Sequence, residues 1–466
     1  MTLIFESLLE DNFSCSPDAR FMLEVIARDS GYWREPANEL SVKPFSKKLH
    51  VAERVVSAAL NELVEAGALE RDAPSRVGSG GRASVAYKLS SCHVDALEDG
   101  FYPQHAELLQ ALFSGEDMAF AVLGVGPGKP DKRSEKGTSV ELEERKHLPP
   151  GGRGRLSTRN RLIFAVLLSR SDQFGEVRIS LTEIARCVGM RPEQVKNRLA
   201  RLMAVGLIRR YVPGLASLIF KAGRVSSTYF LNLEILGAGG AIAVHVDSRR
   251  EEKRRTHMDL LYGSVSYFAG TGRFRNLKAP RSVLLFLRGE RSEVFPLLQH
   301  LINGYASHLL SRHWDALGSE ALVEDPEVVG LIKSCFRCPS SELGPGGSFN
   351  EVCEYFYSLA IDVAREYRGR FGQTNWIGLA SVDIRILPAA ENRGHEAITV
   401  LLRSDPRSPE AVAVLQELGK FNVLEDEGLK CVTICPERSE ADLSLQRRWE
   451  YGLITLPSTV TKAWAQ

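Results

Sequence analysis

Slid by 139 positions, residues 45 to 67 superpose on residues 184 to 206 without a gap, and this single duplication restricts the fold more than any other feature. Phe45 falls on Ile184, Ser46 on Ala185, Leu49 on Val188, Val51 on Met190, Val56 on Val195, Leu60 on Leu199, Leu63 on Leu202 and Gly67 on Gly206. Each copy reads as a short helix, a tight turn, a longer helix, then Gly and the start of an apolar strand. In the second copy Val195, Leu199 and Leu202 recur at i, i+4 and i+7, which defines a buried stripe. Pro192 suits the first helical position, where its missing N–H costs nothing. Gly206 stands where a left-handed cap is wanted. The opposite face presents Glu193, Lys196, Asn197 and Ala200, flanked by Gln194 and Arg201. Side chains of these types reach base edges and phosphates.

The segments after the two longer helices are equally informative. After the first copy, "ALERDAPSRVGSGGRASVAYKLS" reads strand, basic Gly-rich tip, strand; after the second, "LIRRYVPGLASLIFKAGRVSSTYFLNL" reads strand, longer loop, strand. A helix-turn-helix continued by a hairpin resembles the winged helix-turn-helix superfamily of MarR-like and GntR-like regulators, over residues 18 to 90 and 157 to 233. The resemblance implies that the second helix of each motif lies in a DNA major groove and that the wing tip touches the backbone or minor groove. It puts Arg54, Ser57, Ala58 and Asn61 of the first copy toward the groove, with Arg76 and Arg82 on its wing. In the second copy it assigns Glu193, Gln194, Lys196, Asn197 and Arg201 to the groove, with Arg209, Arg210, Lys221 and Arg224 as wing contacts. The copies differ in charge. Residues 182 to 210 hold seven Lys or Arg against two Glu, whereas residues 41 to 71 hold five against four. Phosphate neutralisation drives affinity, so the second copy is expected to be the stronger reader. Arg153, Arg155, Arg159 and Arg161, just before its first helix, are read as an arm for phosphates or the minor groove, or as a solvated linker end.

Composition divides the remainder. Residues 125 to 155 are dense in Gly, Pro and charge and carry almost no apolar period, so they read as a flexible charged linker. Residues 237 to 256 begin Gly-rich and end in a mixed charge run, a second linker in which "AIAVHV" offers a short strand. The expected organisation is a winged helix domain over 1–124, a second over 156–236, and a C-terminal domain over 257–466. The fold class is mainly α with α+β. With a net charge of +1, any electrostatic footprint must be local. The first residues lack a basic region and a long apolar run, and no run of apolar residues is long enough to span a membrane, so a soluble, cytoplasmic protein is expected.

Several chemical signals fail on spacing. "LGVGPGKP" at 123–130 has Leu123 where a phosphate loop needs Gly and Pro130 where it needs Ser or Thr. Cys335 with Cys338, and Cys431 with Cys435, are zinc candidates if the fold joins them, but the second pair lies in a strand-like apolar run, where burial is the simpler account. His300, His308 and His313 fall on a helical stretch and read as structural. Asp383, Glu391, His395 and Glu396 read as solvated hairpin residues. With no nuclease, kinase or hydrolase signature, neither an enzyme nor a cofactor is expected.

Over 257–466 the pattern gives helices at 293–314 and 349–372, strands near 376–387, 396–403 and 429–435, and a helix at 408–420. The Tyr and Phe density of the 349–372 helix, at Tyr355, Phe356 and Tyr357, suggests self-association into a homodimer. The expected activity is sequence-specific binding of double-stranded DNA by a transcriptional regulator. A plasmid replication initiator or partition factor is the nearest rival. An interaction scaffold and a nucleic-acid enzyme with a C-terminal site are the other classes left open.

Overall fold

Helices dominate the chain, with a minority of antiparallel strand, in the computed structural model. It describes residues 15–28, 42–72, 86–90, 105–114, 156–233, 241–248, 256–274, 277–319, 323–339, 348–372, 382–388, 390–392, 395–404 and 432–434. The described residues of Met1–Arg209 and Leu231–Ala238 form one compact unit, and those of Arg210–Phe230 and Gly239–Leu453 form another. Composition alone divides the chain differently, placing residues 1–124 and 156–236 in separate units. The linker read at 125–155 lies outside the described residues.

In the first unit the duplication is kept residue for residue. Helices α2 (Val42–Leu49) and α3 (Glu53–Glu65) have the lengths of α6 (Leu181–Val188) and α7 (Pro192–Ala204), 139 positions on. Gly67 and Gly206 both take positive φ, +75° and +81°, where each longer helix ends. The inter-helix turns match as well: Gly189 has φ +66°, and its counterpart His50 has φ +52°. A Cβ resists that conformation, so His50 holds a strained backbone to keep the turn. Strands β1 (Leu69–Asp72) and β2 (Ala86–Leu89) then pair antiparallel, Leu69 opposite Leu89. In the second copy Leu231 donates its N–H to Gly175 and Asn232 to Leu207, so the end of β7 (Thr228–Leu231) lies between β3 (Glu176–Arg178) and β4 (Ile208–Val212).

The copies share a core through their first helices. Helix α5 (Thr158–Ser169) is buried on every side from Asn160 to Ser169, as an all-round apolar helix must be. Helix α1 (Pro17–Arg28) packs on it, and α4 (Ala106–Ser114) packs on both. Polar groups fix the register: Asp18 accepts from the Thr158 hydroxyl at 2.8 Å and pairs with Arg159 at 2.8 Å. Arg20 donates to the carbonyls of Arg186 (2.8 Å) and Cys187 (2.5 Å) in the last turn of α6, capping its C-terminal end.

The second unit joins a small sheet to a helical layer. Strand β8 (Ala241–Ser248), inside the stretch read as a linker, is an inner strand. It pairs antiparallel with β11 (His395–Ser404) and with β12 (Val432–Ile434). β11 also pairs with β10 (Ala390–Asn392) and β9 (Val382–Ile386). The strand that "AIAVHV" offers is thus present inside that stretch, and its partners stand roughly 150 to 190 positions away, where local composition does not show them. On β9, the N–H groups of Ile384 and Ile386 donate to the Ser311 and Ser307 hydroxyls of α10 (Val294–Arg312), at 2.8 and 2.9 Å. Two serines one turn apart thus satisfy strand donors that would otherwise be buried without partners. Helix α10 packs against α8 (His257–Thr271), α11 (Pro326–Cys335) and α12 (Phe349–Gly372), and α9 (Arg281–Phe286) packs against α8 and α12. Short strands β5 (Leu215–Ala216) and β6 (Arg224–Val225) form a hairpin, Ala216 opposite Arg224. The helix read at 408–420 lies outside the described residues.

An alanine at Gly189 would combine a left-handed backbone with a Cβ 2.8 Å from the Cys15 carbonyl oxygen. Gly189→Ala is expected to destabilise the first unit by about 2 kcal/mol or more, whereas His50→Gly, which relieves the positive φ of the matching turn, is expected to cost clearly less. Denaturant midpoints of the two variants check the pair.

Candidate nucleic-acid interface

Helix α7 begins with Pro192 at its first turn, and Gln194 turns its side-chain oxygen back to accept the Arg191 N–H at 3.4 Å. Val195, Leu199 and Leu202 are buried beneath it. Glu193, Gln194, Lys196, Asn197, Ala200 and Arg201 are not buried, so the polar face read from periodicity is the outward face. Arg198, on the same helix, points elsewhere. Its guanidinium donates to Asn160 Oδ1 at 2.9 Å and Ser157 Oγ at 3.2 Å, and burial together with the Arg159 charge lowers its pKa. Arg198 therefore fixes α7 to α5 and leaves the outer face to its neighbours.

The first copy shows a weaker version of that surface. Arg54, Ala58 and Asn61 are exposed and Ser57 is half-buried above the buried Val56, Ala59, Leu60 and Leu63. Glu53 and Glu65 are exposed on the same helix, and Asn61 Oδ1 accepts from the Tyr87 hydroxyl at 3.4 Å. Its wing residues Arg76 and Arg82 lie outside the described residues.

Two of the assigned wing contacts are corrected by burial. Arg209 is fully buried and donates Nη2 to Asn232 Oδ1 at 2.8 Å. Arg210 is 6% exposed and donates Nε to the Pro388 carbonyl at 3.0 Å. Both side chains are buried, so neither is presented to solvent or a phosphate. Lys221 and Arg224, farther along the hairpin, are exposed. The arginine arm is also corrected in part: Arg159 is committed to Asp18, and Arg161 is 5% exposed. Arg153 and Arg155 lie outside the described residues.

The remaining candidates have structural positions. The Cys335 carbonyl accepts the Lys221 N–H at 2.9 Å, and Cys338 is exposed. Cys431 and Cys435 lie outside the described residues. Among the described residues no group of three or more His, Cys, Asp or Glu is placed to hold a metal ion. His308 and His313 both direct Nε2 at Asp325 Oδ2, at 3.2 and 2.9 Å. Burial raises the Asp325 carboxyl, but the Val328 N–H, the His313 imidazole and the nearby imidazole charges outweigh it and lower its pKa. His300 is buried edge-on to Phe230, ring centroids 5.5 Å apart. The aromatic residues of α12 serve their own core. Phe356 is fully buried against Phe336 at 4.9 Å, burial pushes the Tyr355 hydroxyl up to about 12, and Tyr357 donates to the Val323 carbonyl at 2.9 Å.

Among the described residues no helix is long and apolar enough to cross a membrane. No protein-family model, curated protein or solved structure matches the chain.

The Arg209 side chain is fully buried and gives a hydrogen bond to Asn232 that alanine cannot replace. Arg209→Ala is therefore expected to cost about 2 kcal/mol of folding stability, visible in chemical denaturation. An unchanged midpoint would return Arg209 to the surface set.

Proposed function

We propose that the chain is a sequence-specific double-stranded DNA-binding protein using two tandem winged helix-turn-helix copies, with α7 as the main reader. One observation carries this reading. Lys196, Asn197 and Arg201 stand on the free face of a helix whose opposite side is locked into the core. A rigid helix carrying an amide and two cations on its free face suits a major groove, where amides read adenine and cations read guanine or phosphate. The mixed charge of α3 and the bond from Tyr87 to Asn61 support a lesser role for the first copy. Such a protein acts in the compartment that holds its DNA, and the cytoplasm of a bacterial-type cell, at the nucleoid, is the proposed location.

A transcriptional regulator remains the broad class, but a second role has support of its own. Replication initiators also pair two winged helices and usually pack the halves directly together. Here α1 packs on α5, Arg20 caps α6, and Asp18 pairs with Arg159. Clustered direct repeats in the bound DNA would favour initiation, and one operator overlapping a promoter would favour regulation.

Homodimerisation through the C-terminal unit is also part of the proposal, though its support moves from α12 to α8. The exposed face of α8 and the turn after it carry Leu260 (51% exposed), Tyr267 (47%) and Phe274 (42%), with no charged residue between Leu260 and Gly272. These three recur every seven residues, with Gly263 and Gly270 in the intervening positions. Leu260 and Tyr267 lie one heptad apart on the helix with Gly263 between them, a seam that fits a second copy of the same helix, and Phe274 follows the left-handed cap at Gly272. Sedimentation of the full chain at micromolar concentration is expected to find a dimer, and Tyr267→Glu a monomer. A monomeric wild type would remove the dimer.

Replacing Lys196 and Asn197 with Ala is expected to cost about 1 to 3 kcal/mol of specific binding per lost base contact. The matching change at Ser57 and Asn61 is expected to cost less. Mobility-shift titrations at fixed salt compare the two, and equal losses would overturn the ranking.

A further inference from the structure

The tip of the second hairpin is held by the helical layer of its own unit. Phe220 bridges Phe336 as in an antiparallel pair, flanked by Lys221 N–H to Cys335 O at 2.9 Å and Arg337 N–H to Ile219 O at 2.7 Å. The Phe220 ring is 1% exposed and stacks on Phe336 at 5.9 Å, and Phe336 meets Phe286 and Phe356 behind it. A wing tip is usually a mobile loop end. This one is fixed by backbone pairing and an aromatic cluster.

The same anchor gathers cations from separate parts of the chain. Arg337 Nη2 lies over the Gly223 turn, 3.9 Å from where a Cβ would stand. Arg291 reaches the Ala216 carbonyl at 3.5 Å, and Ala216 is the strand partner of Arg224. The two guanidiniums thus approach the chain neighbour and the strand partner of Arg224. Lys221 lies three residues before it. All four side chains are exposed, and none forms an ion pair with a described residue. The adjacent carboxylate, Glu290, accepts the Ser217 hydroxyl at 2.8 Å and keeps its charge, leaving the four cations in excess over it. Like charges held together on a rigid edge repel one another, and a row of phosphates relieves that repulsion.

We propose that Arg291 and Arg337 join Lys221 and Arg224 in one phosphate-binding rim, which grips the backbone of a DNA duplex by charge and reads no sequence. The inference rests on the DNA-binding reading and adds two contacts from outside the winged helix itself. The Cys335–Cys338 stretch, a zinc candidate by its spacing, here supplies the strand-like edge that carries Arg337.

The test compares full-length wild type with the Arg291→Gln, Arg337→Gln double variant on a selected site and on a scrambled duplex, over a series of salt concentrations. The slope of log affinity against log salt is expected to fall by about 2, since each lost phosphate contact removes about 0.9. Affinity is expected to fall by the same factor on both duplexes. The Arg291→Lys, Arg337→Lys variant keeps the charge and is expected to keep the wild-type slope, and thermal melting of both variants checks that the fold is intact. An unchanged slope in the Gln variant, with wild type still binding and the α7 variant impaired, would overturn the rim and leave the α7 reading standing. A wild type that retains neither duplex would overturn both.

Discussion

The left-handed turn between α6 and α7 is the constraint on which the first unit depends. Gly189 must take φ +66°, because only there can the chain reverse within one residue and still let Met190 bond back to Ala185. Arg20 then closes the turn from outside by capping the Arg186 and Cys187 carbonyls, and the Cys15 carbonyl leaves no room for a Cβ. One small volume therefore sets the angle between two helices, joins the two copies, and decides which side of α7 faces out. His50, at the matching place in the first copy, shows that the conformation is demanded by the fold even where the residue is poorly suited to it.

A second dependence runs through Phe220. A hairpin as long as the one between Val212 and Thr228 would ordinarily end in a loose tip. Burying Phe220 beside Phe336 replaces that freedom with a ring stack and two flanking hydrogen bonds. Lys221 and Arg224 thereby hold fixed positions on the second unit, and ordering that has been completed during folding need not be repeated on binding.

The sequence made some of this legible and hid the rest for physical reasons. The helix pairs could be read because Val195, Leu199 and Leu202, like Val56, Leu60 and Leu63, bury a stripe whose period is local. The outward face of α7 comes from the same geometry. Arg209 and Arg210 were misplaced because their partners are remote: Asn232 is 23 positions on and Pro388 is 178. Two arginines after an apolar pair look solvated until a tertiary partner covers them. Strand β8 was offered by "AIAVHV", but its inner place in a sheet was not, because its partners β11 and β12 stand far along the chain. The aromatic run of α12 suggests an interface because composition cannot separate core filling from partner contact, whereas Phe336, which stacks on Phe356, sits 20 positions earlier between Cys335 and Cys338. Arg337 carried no local signal at all.

At the centre of this account is α7 as a reader of duplex sequence. Selection of bound fragments from a random-sequence duplex library by the full-length protein at moderate salt tests that claim most directly. The account predicts enrichment of a defined site whose most constrained base pairs lose their constraint when Asn197 is replaced by Ala. Retention without enrichment would reduce the protein to a sequence-blind polyanion binder, and no retention at all would contradict the account.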